Sequence, residues 1–148
     1  MALVKHILDD ARKRLAVLDR EALVAEAAAI LANPNTPLIV VCDSDGLAVG
    51  VVSKSNIIRA LAGGKGDAVK MNTGDVMTNP VVSCHVDQAL QRVWDAMNAS
   101  SLRSMPVIDD SGRPQGVVHA RDLARALLDE VDQEELMLRD YVLGIGYQ

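Results

Sequence analysis

Phenylalanine is absent from this chain of 148 residues, and aromatic side chains make up only 2% of it, although hydrophobic residues reach 49%. A core made with so few rings must be built from Val, Leu, Ile, Ala and Met, which suits helices packed on β-branched strands. No apolar run comes near the roughly 18 residues that a membrane-spanning helix needs. Basic charge is scarce as well. Fifteen Lys and Arg stand against 20 Asp and Glu, a net charge of −5, which argues against a broad electrostatic footprint for nucleic acid. A charged-then-apolar leader is missing at the N-terminus, so a cytoplasmic location is expected rather than secretion. The two cysteines share no C-x-x-C spacing. Cys84 and His85 are neighbours on a predicted strand and would point to opposite faces, so no metal site is expected. Gly-x-Ser-x-Gly, H-E-x-x-H, Walker A and Rossmann glycine patterns are all lacking, and no catalytic constellation is read.

What the chain does have is a duplication. Residues 38–61 and 104–127 superimpose without a gap at an offset of 66, with nine of 24 positions identical, among them Asp43/Asp109, Gly46/Gly112 and Gly50/Gly116. A fixed internal period means two copies of one supersecondary unit sharing a core, and clefts between paired units are where small ligands sit.

Each copy parses in the same order. Residues 19–32 carry apolar side chains at helical spacing with Asp19 as a candidate cap, 38–42 form an apolar strand, and Asp43-Ser44-Asp45-Gly46 is a turn. A strand at 47–52 and a helix from Ser53 to about Ala62 follow. In the second copy the pieces are a strand at 81–84, a helix near 87–99, strands at 105–109 and 115–118, and a helix from 120. The copies differ ahead of this block: ten residues (9–18) separate Leu8 from Asp19, but seven (78–84) separate Met77 from His85. The expected fold class is α+β, two strand–helix–strand–strand–helix repeats packed with pseudo-two-fold symmetry. Repeat 1 is expected at 1–62 and a glycine-rich linker at 63–72. Repeat 2 would then run over 73–128, with a helical tail at 129–148 whose apolar residues Leu136, Leu138, Tyr141, Val142 and Leu143 could pack on the chain itself or on a partner.

The block Met105–Leu128, with its apolar-Pro-Val-apolar-Asp strand, a turn ending in Gly112, and Gly116-x-x-x-x-x-Asp122 opening a helix, resembles the second half of a CBS domain. Asp75-Val76-Met77-Thr78 resembles the usual start of such a repeat, and tandem CBS pairs are known as Bateman modules. The resemblance implies binding of adenosine-containing ligands (AMP, ADP, ATP, S-adenosylmethionine, sometimes NAD) in clefts between the repeats. No cofactor is required; the ligand would be regulatory. It also implies a homodimer and a protein target acted on in trans, with no membrane or nucleic-acid partner.

In the motif Gly-x-x-Ser/Thr-x-x-Asp the hydroxyl falls at the helix N-cap and the acid three residues on. A carboxylate there can grip two neighbouring ribose hydroxyls, or it can merely complete a capping box. Both copies depart from the motif. The first keeps Ser53 but has Asn56 for the acid, and the second keeps Asp122 but has His119 for the hydroxyl, as a packing or capping substitute or a phosphate contact. The cleft at Asp122 is therefore expected to be the better nucleoside site, with Thr78, Val81, Met105 and Pro106 as walls. Lys54, Arg121 and Arg103 are candidate phosphate contacts beside the helix starts. The competing reading is a ligand-free dimerisation scaffold with degenerate clefts.

Overall fold

The computed structural model describes residues 1–63 and 67–146. Gly64–Gly66, the centre of the expected linker, lies outside the described residues. In chain order the elements are α1 (Leu8–Lys13), β1 (Val17–Asp19), α2 (Val24–Leu31), β2 (Ile39–Cys42), β3 (Ala48–Val52), α3 (Lys54–Ala62), α4 (Thr73–Val76), α5 (Leu90–Ala99), β4 (Ser104–Ile108), β5 (Pro114–His119) and α6 (Ala120–Gly146), with 3-10 turns at Val4–Ile7 and Ala68–Lys70.

The first repeat holds a sheet ordered β1-β2-β3 and the second a β4-β5 hairpin. Strand β2 is Ile-Val-Val-Cys and wholly buried, as a short apolar run between two packed layers should be. Both hairpins turn on the duplicated Asp. Asp43 Oδ1 accepts the N–H groups of Asp45 and Leu47, and Asp109 Oδ1 accepts those of Ser111 and Arg113. Gly46 and Gly112 then take φ of 81° and 91°, conformations that cost a glycine little.

The repeats exchange their leading segments, and this makes the pair indivisible. Val4 N donates to Gln88 O and Leu90 N to Ala2 O, just as Thr73 N donates to Ala22 O and Val24 N to Met71 O. Val4 and Ala11 are accordingly buried in the core of repeat 2 with Leu90, Met97, Val107 and Leu123. Val76 and Met77 pack in return on the core of repeat 1 around Ala27, Ile39 and Val52. A third cluster, Leu38, Val40, Cys42 and Val117, joins the two sheets about the pseudo-two-fold axis. One repeat alone would expose both its missing strap and this face.

Two sequence expectations need correction. The strand at 81–84 reduces to a single parallel bridge between Cys84 and Val107: in repeat 1 Val40 N donates to Ala16 O, but Pro106, at the place of Val40, has no N–H to extend the ladder. Asp19 does not cap a helix: it ends β1 opposite Cys42, its Oδ1 accepts the N–H of Glu21, and α2 begins later, at Val24. The longer lead of repeat 1 holds helix α1, an element that the sequence reading does not place. Beyond these, α6 passes residue 129 without a break. Among the described residues no helix is long and apolar enough to cross a membrane.

Candidate functional site

The two helix starts that carry the repeated motif, at α3 and α6, meet the lead segment of the opposite repeat. At the first, Asn56 is buried and fully engaged. Its Oδ1 accepts Ser53 N and Ser53 Oγ, both at 2.9 Å, while its Nδ2 donates to Val76 O at 2.9 Å and Thr78 Oγ1 at 3.0 Å. At the second, His119 takes over the capping task of the missing hydroxyl, its Nδ1 accepting the N–H of Arg121 at 3.1 Å. Burial lowers the pKa of His119 below the ordinary imidazole value, and Arg14, Arg121 and Arg103 add to this against the opposing pull of Asp122.

Asp122 is not an open mouth. Arg14, just beyond α1, donates from Nε to its Oδ2 at 2.9 Å and from Nη2 to its Oδ1 at 3.1 Å, and the Asp122 side chain is only 12% exposed. Helix α1 lies over β5 so closely that a Cβ at Gly116 would sit 2.8 Å from the carbonyl carbon of Ala11. The same slot at Gly50 is filled by Met77 and the carbonyl of Thr78. Each motif's third polar residue thus grips the strap of the other repeat, Asn56 holding 76–78 and Asp122 holding Arg14. Arg14 takes one acceptor position on each Asp122 oxygen, so the expected ribose contact would share this carboxylate with a guanidinium.

Space opens instead on the pseudo-two-fold axis. A cavity of about 460 Å³ is lined by the loops entering β2 and β4 and by the starts of α3 and α6, within the size range of small-molecule sites. Its lining obeys the repeat offset, with Pro37 and Arg103, Leu38 and Ser104, and Ser53 and His119 as equivalent pairs. Lys54, Arg103 and His119 supply positive or protonatable groups, and Ser53, Ser55 and Ser101 supply hydroxyls. Among the described residues no carboxylate lines it, although the chain as a whole is acidic. Ser101, in the left-handed region at φ 55°, ends α5 by directing Leu102 N back to Met97 O, and so turns the loop toward the cavity.

Of the residues singled out from sequence, Ser53, Lys54, His119 and Arg103 come together here. Thr78 lies beneath Asn56, Met105 and Pro106 are buried in β4, Val81 sits in the segment before Cys84, and Arg121 is exposed outside the lining. Asn56 borders a smaller hollow of about 280 Å³ with Arg59 and Asp75. Its amide is already satisfied, so the axial cavity is the better candidate. Sequence reasoning missed Pro34, Thr36, Pro37, Leu38 and Ser104. Extending the offset of 66 back from Arg103 would have found Pro37, and with it the loop before β2.

Among the described residues no cluster of three His, Cys, Asp or Glu could hold a metal. Cys84 is buried, donates to Pro106 O at 3.6 Å, and burial pushes its thiol up to about 12, so it is inert at neutral pH.

Comparison with known proteins agrees with this geometry. The CBS domain family matches at residues 4–63 and again at 74–129. An uncharacterized protein of Acidianus ambivalens is 31% identical over 119 residues, covering 80% of this chain and 71% of its own. The L-aspartate semialdehyde sulfurtransferase of Methanocaldococcus jannaschii is 30% identical over 102 residues, 69% of this chain but only 19% of the enzyme. Among solved structures, the CBS domain pair of protein MJ0100, crystallised with 5′-methylthioadenosine and S-adenosyl-L-methionine, is 28% identical with a TM-score of 0.73, covering 88% of this chain and 98% of its own. Two matched repeats, exchanged straps and a cavity on the axis between them lead to one assignment: this chain belongs to the CBS domain family and carries a tandem pair.

Proposed function

We propose that the chain is a regulatory module, without catalysis of its own, that binds an adenosine phosphate in the axial cavity and passes its occupancy to a protein partner in trans. The observation that carries this reading is a carboxylate-free, basic cavity at two helix starts. The α3 and α6 dipoles add to Lys54, Arg103 and His119 in favouring a phosphate. Pro34, Pro37, Leu38 and Leu102 offer apolar surface for a base. Membership of the family and likeness to the MJ0100 pair support an adenosine ligand. The local charge favours AMP, ADP or ATP over neutral 5′-methylthioadenosine and over the sulfonium cation of S-adenosylmethionine.

Thermal unfolding with these five ligands tests it. A ligand at 100 times its Kd should add about 2.7 kcal/mol, roughly 5–10 °C in Tm for a chain of this size. Lys54→Ala or Arg103→Ala should weaken an adenosine phosphate roughly tenfold. A larger shift with the two phosphate-free ligands would refute the phosphate assignment.

One observation favours a second reading, a ligand-free scaffold. Asp122 and Asn56 are both satisfied within the chain, so the motif works as an inter-repeat clamp without any guest. No Tm shift with any of the five would favour that alternative.

A further inference from the structure

The hollow beside Asn56 holds two opposite charges that do not meet. Arg59, in the last turn of α3, and Asp75, in α4, both line this space of about 280 Å³. Among the described residues neither forms an ion pair, with the other or with any third group. Asp75 Oδ2 accepts Asn72 N at 3.3 Å, a long bond that leaves most of its charge unspent. Ala60, Met71 and Val76, all half-buried, make the rest of the lining mainly apolar.

The walls are pinned from both repeats. Met71 O accepts Val24 N at 2.8 Å, and Val76 O accepts Asn56 Nδ2 at 2.9 Å. The hollow is thus formed in advance, and its volume, just under the usual range for drug-sized ligands, suits a small guest. Its charge pair is not imposed by the fold. The backbone bridges at Val4 and Thr73 align the two straps, which puts His6 at the place of Asp75. The matching hollow in repeat 2, about 450 Å³, is lined by His6, Asp129 and Glu130 among others, while Arg125, at the place of Arg59, stays outside the lining. That space has carboxylates and no Lys or Arg. A base and an acid on one apolar hollow belong to repeat 1 alone.

We propose that this hollow binds a free α-amino acid with an apolar side chain. Arg59 donates to the carboxylate, Asp75 accepts from the ammonium, and Ala60, Met71 and Val76 cover the side chain. A zwitterion fits where an ion of one sign does not, because each of its charges meets an opposite one. The bound molecule joins α3 of repeat 1 to α4, the strap that repeat 2 lends to it. The hollow shares no lining residue with the axial cavity, so the proposal does not depend on what that cavity binds.

Titrating the isotope-labelled full chain with L-methionine or L-leucine, read by amide NMR shifts, tests the proposal. Shifts should centre on Ala60, Met71 and Val76, with a Kd of roughly 1 mM, as two part-exposed charge contacts allow. N-acetyl-L-methionine lacks the ammonium and L-methioninamide lacks the carboxylate, and each should bind roughly fivefold more weakly. Arg59→Gln and Asp75→Asn should have the same effect, the Asn keeping an oxygen for the bond from Asn72 N. Both variants should leave the nucleotide response of the parent chain unchanged. Absence of shifts at these amides, equal binding of the two capped analogues, or binding that survives both substitutions would each overturn the site. Failure of the nucleotides alone would refute the axial reading and leave this one standing.

Discussion

Arg14 and Asp122, 108 positions apart in sequence, form a two-pronged ion pair that fastens the lead segment of repeat 1 to the helix start of repeat 2. Both side chains are largely covered, at 27% and 12% exposure, so the pair is worth more than a surface salt bridge. Replacing either residue by Ala leaves the other charge partly buried and should lower stability by roughly 1–3 kcal/mol. The double variant should lose much less than the sum. A urea-denaturation double-mutant cycle reads this directly, and additive losses would mean that the pair contributes nothing beyond its parts.

His119 makes the protein sensitive to acid in a defined direction. Its folded pKa lies below the ordinary value of about 6.5, so the unfolded chain takes up this proton first as pH falls. The stabilisation is full above that value and is lost as pH drops through it toward the folded pKa. Burial first, then Arg14, Arg121 and Arg103 hold the proton off, Asp122 opposes them, and Lys54 shares the cavity. A phosphate placed among these groups reverses the balance. Its affinity should rise as pH falls from 7.5 to about 6, with proton uptake measurable by calorimetry in buffers of differing ionisation heat. A His119→Gln chain should show neither trend in this window, and retention of both would assign the titration to another group.

Gly116 tests the strap itself. A methyl group there meets the backbone of Ala11 at 2.8 Å and its Cβ at 2.9 Å, atoms that cannot turn aside. Gly116→Ala should therefore cost roughly 1–3 kcal/mol and loosen α1 from β5. Hydrogen exchange at the α1 amides should accelerate, while that of β2 stays slow. Unchanged protection in α1 would show that the close approach relaxes without lifting the helix.

The duplication made much of this fold legible in advance. Apolar β2 and the Asp–Gly turns are local in origin, and local patterns suffice to place them. The straps were harder to read because their partners lie in the opposite repeat: nothing near Ala11 announces that it will press on Gly116. Asp122 illustrates the limit. Its motif allows it to bind a sugar or to fix a helix end, and the residue it does hold, Arg14, lies more than a hundred positions away. The basic cavity was half visible, through Lys54, His119 and Arg103. Its other half, the loop at Pro34–Leu38, carries no charge to draw attention and becomes apparent only when folding sets it across the axis from its twin.

Lys54 borders both the axial cavity and the groove between α2 and α3. A single ammonium group has one charge to share, so a phosphate held in the cavity draws this side chain away from the groove. Occupancy of the cavity would then reach the outer face between α2 and α3 through one flexible side chain, with the backbone left in place.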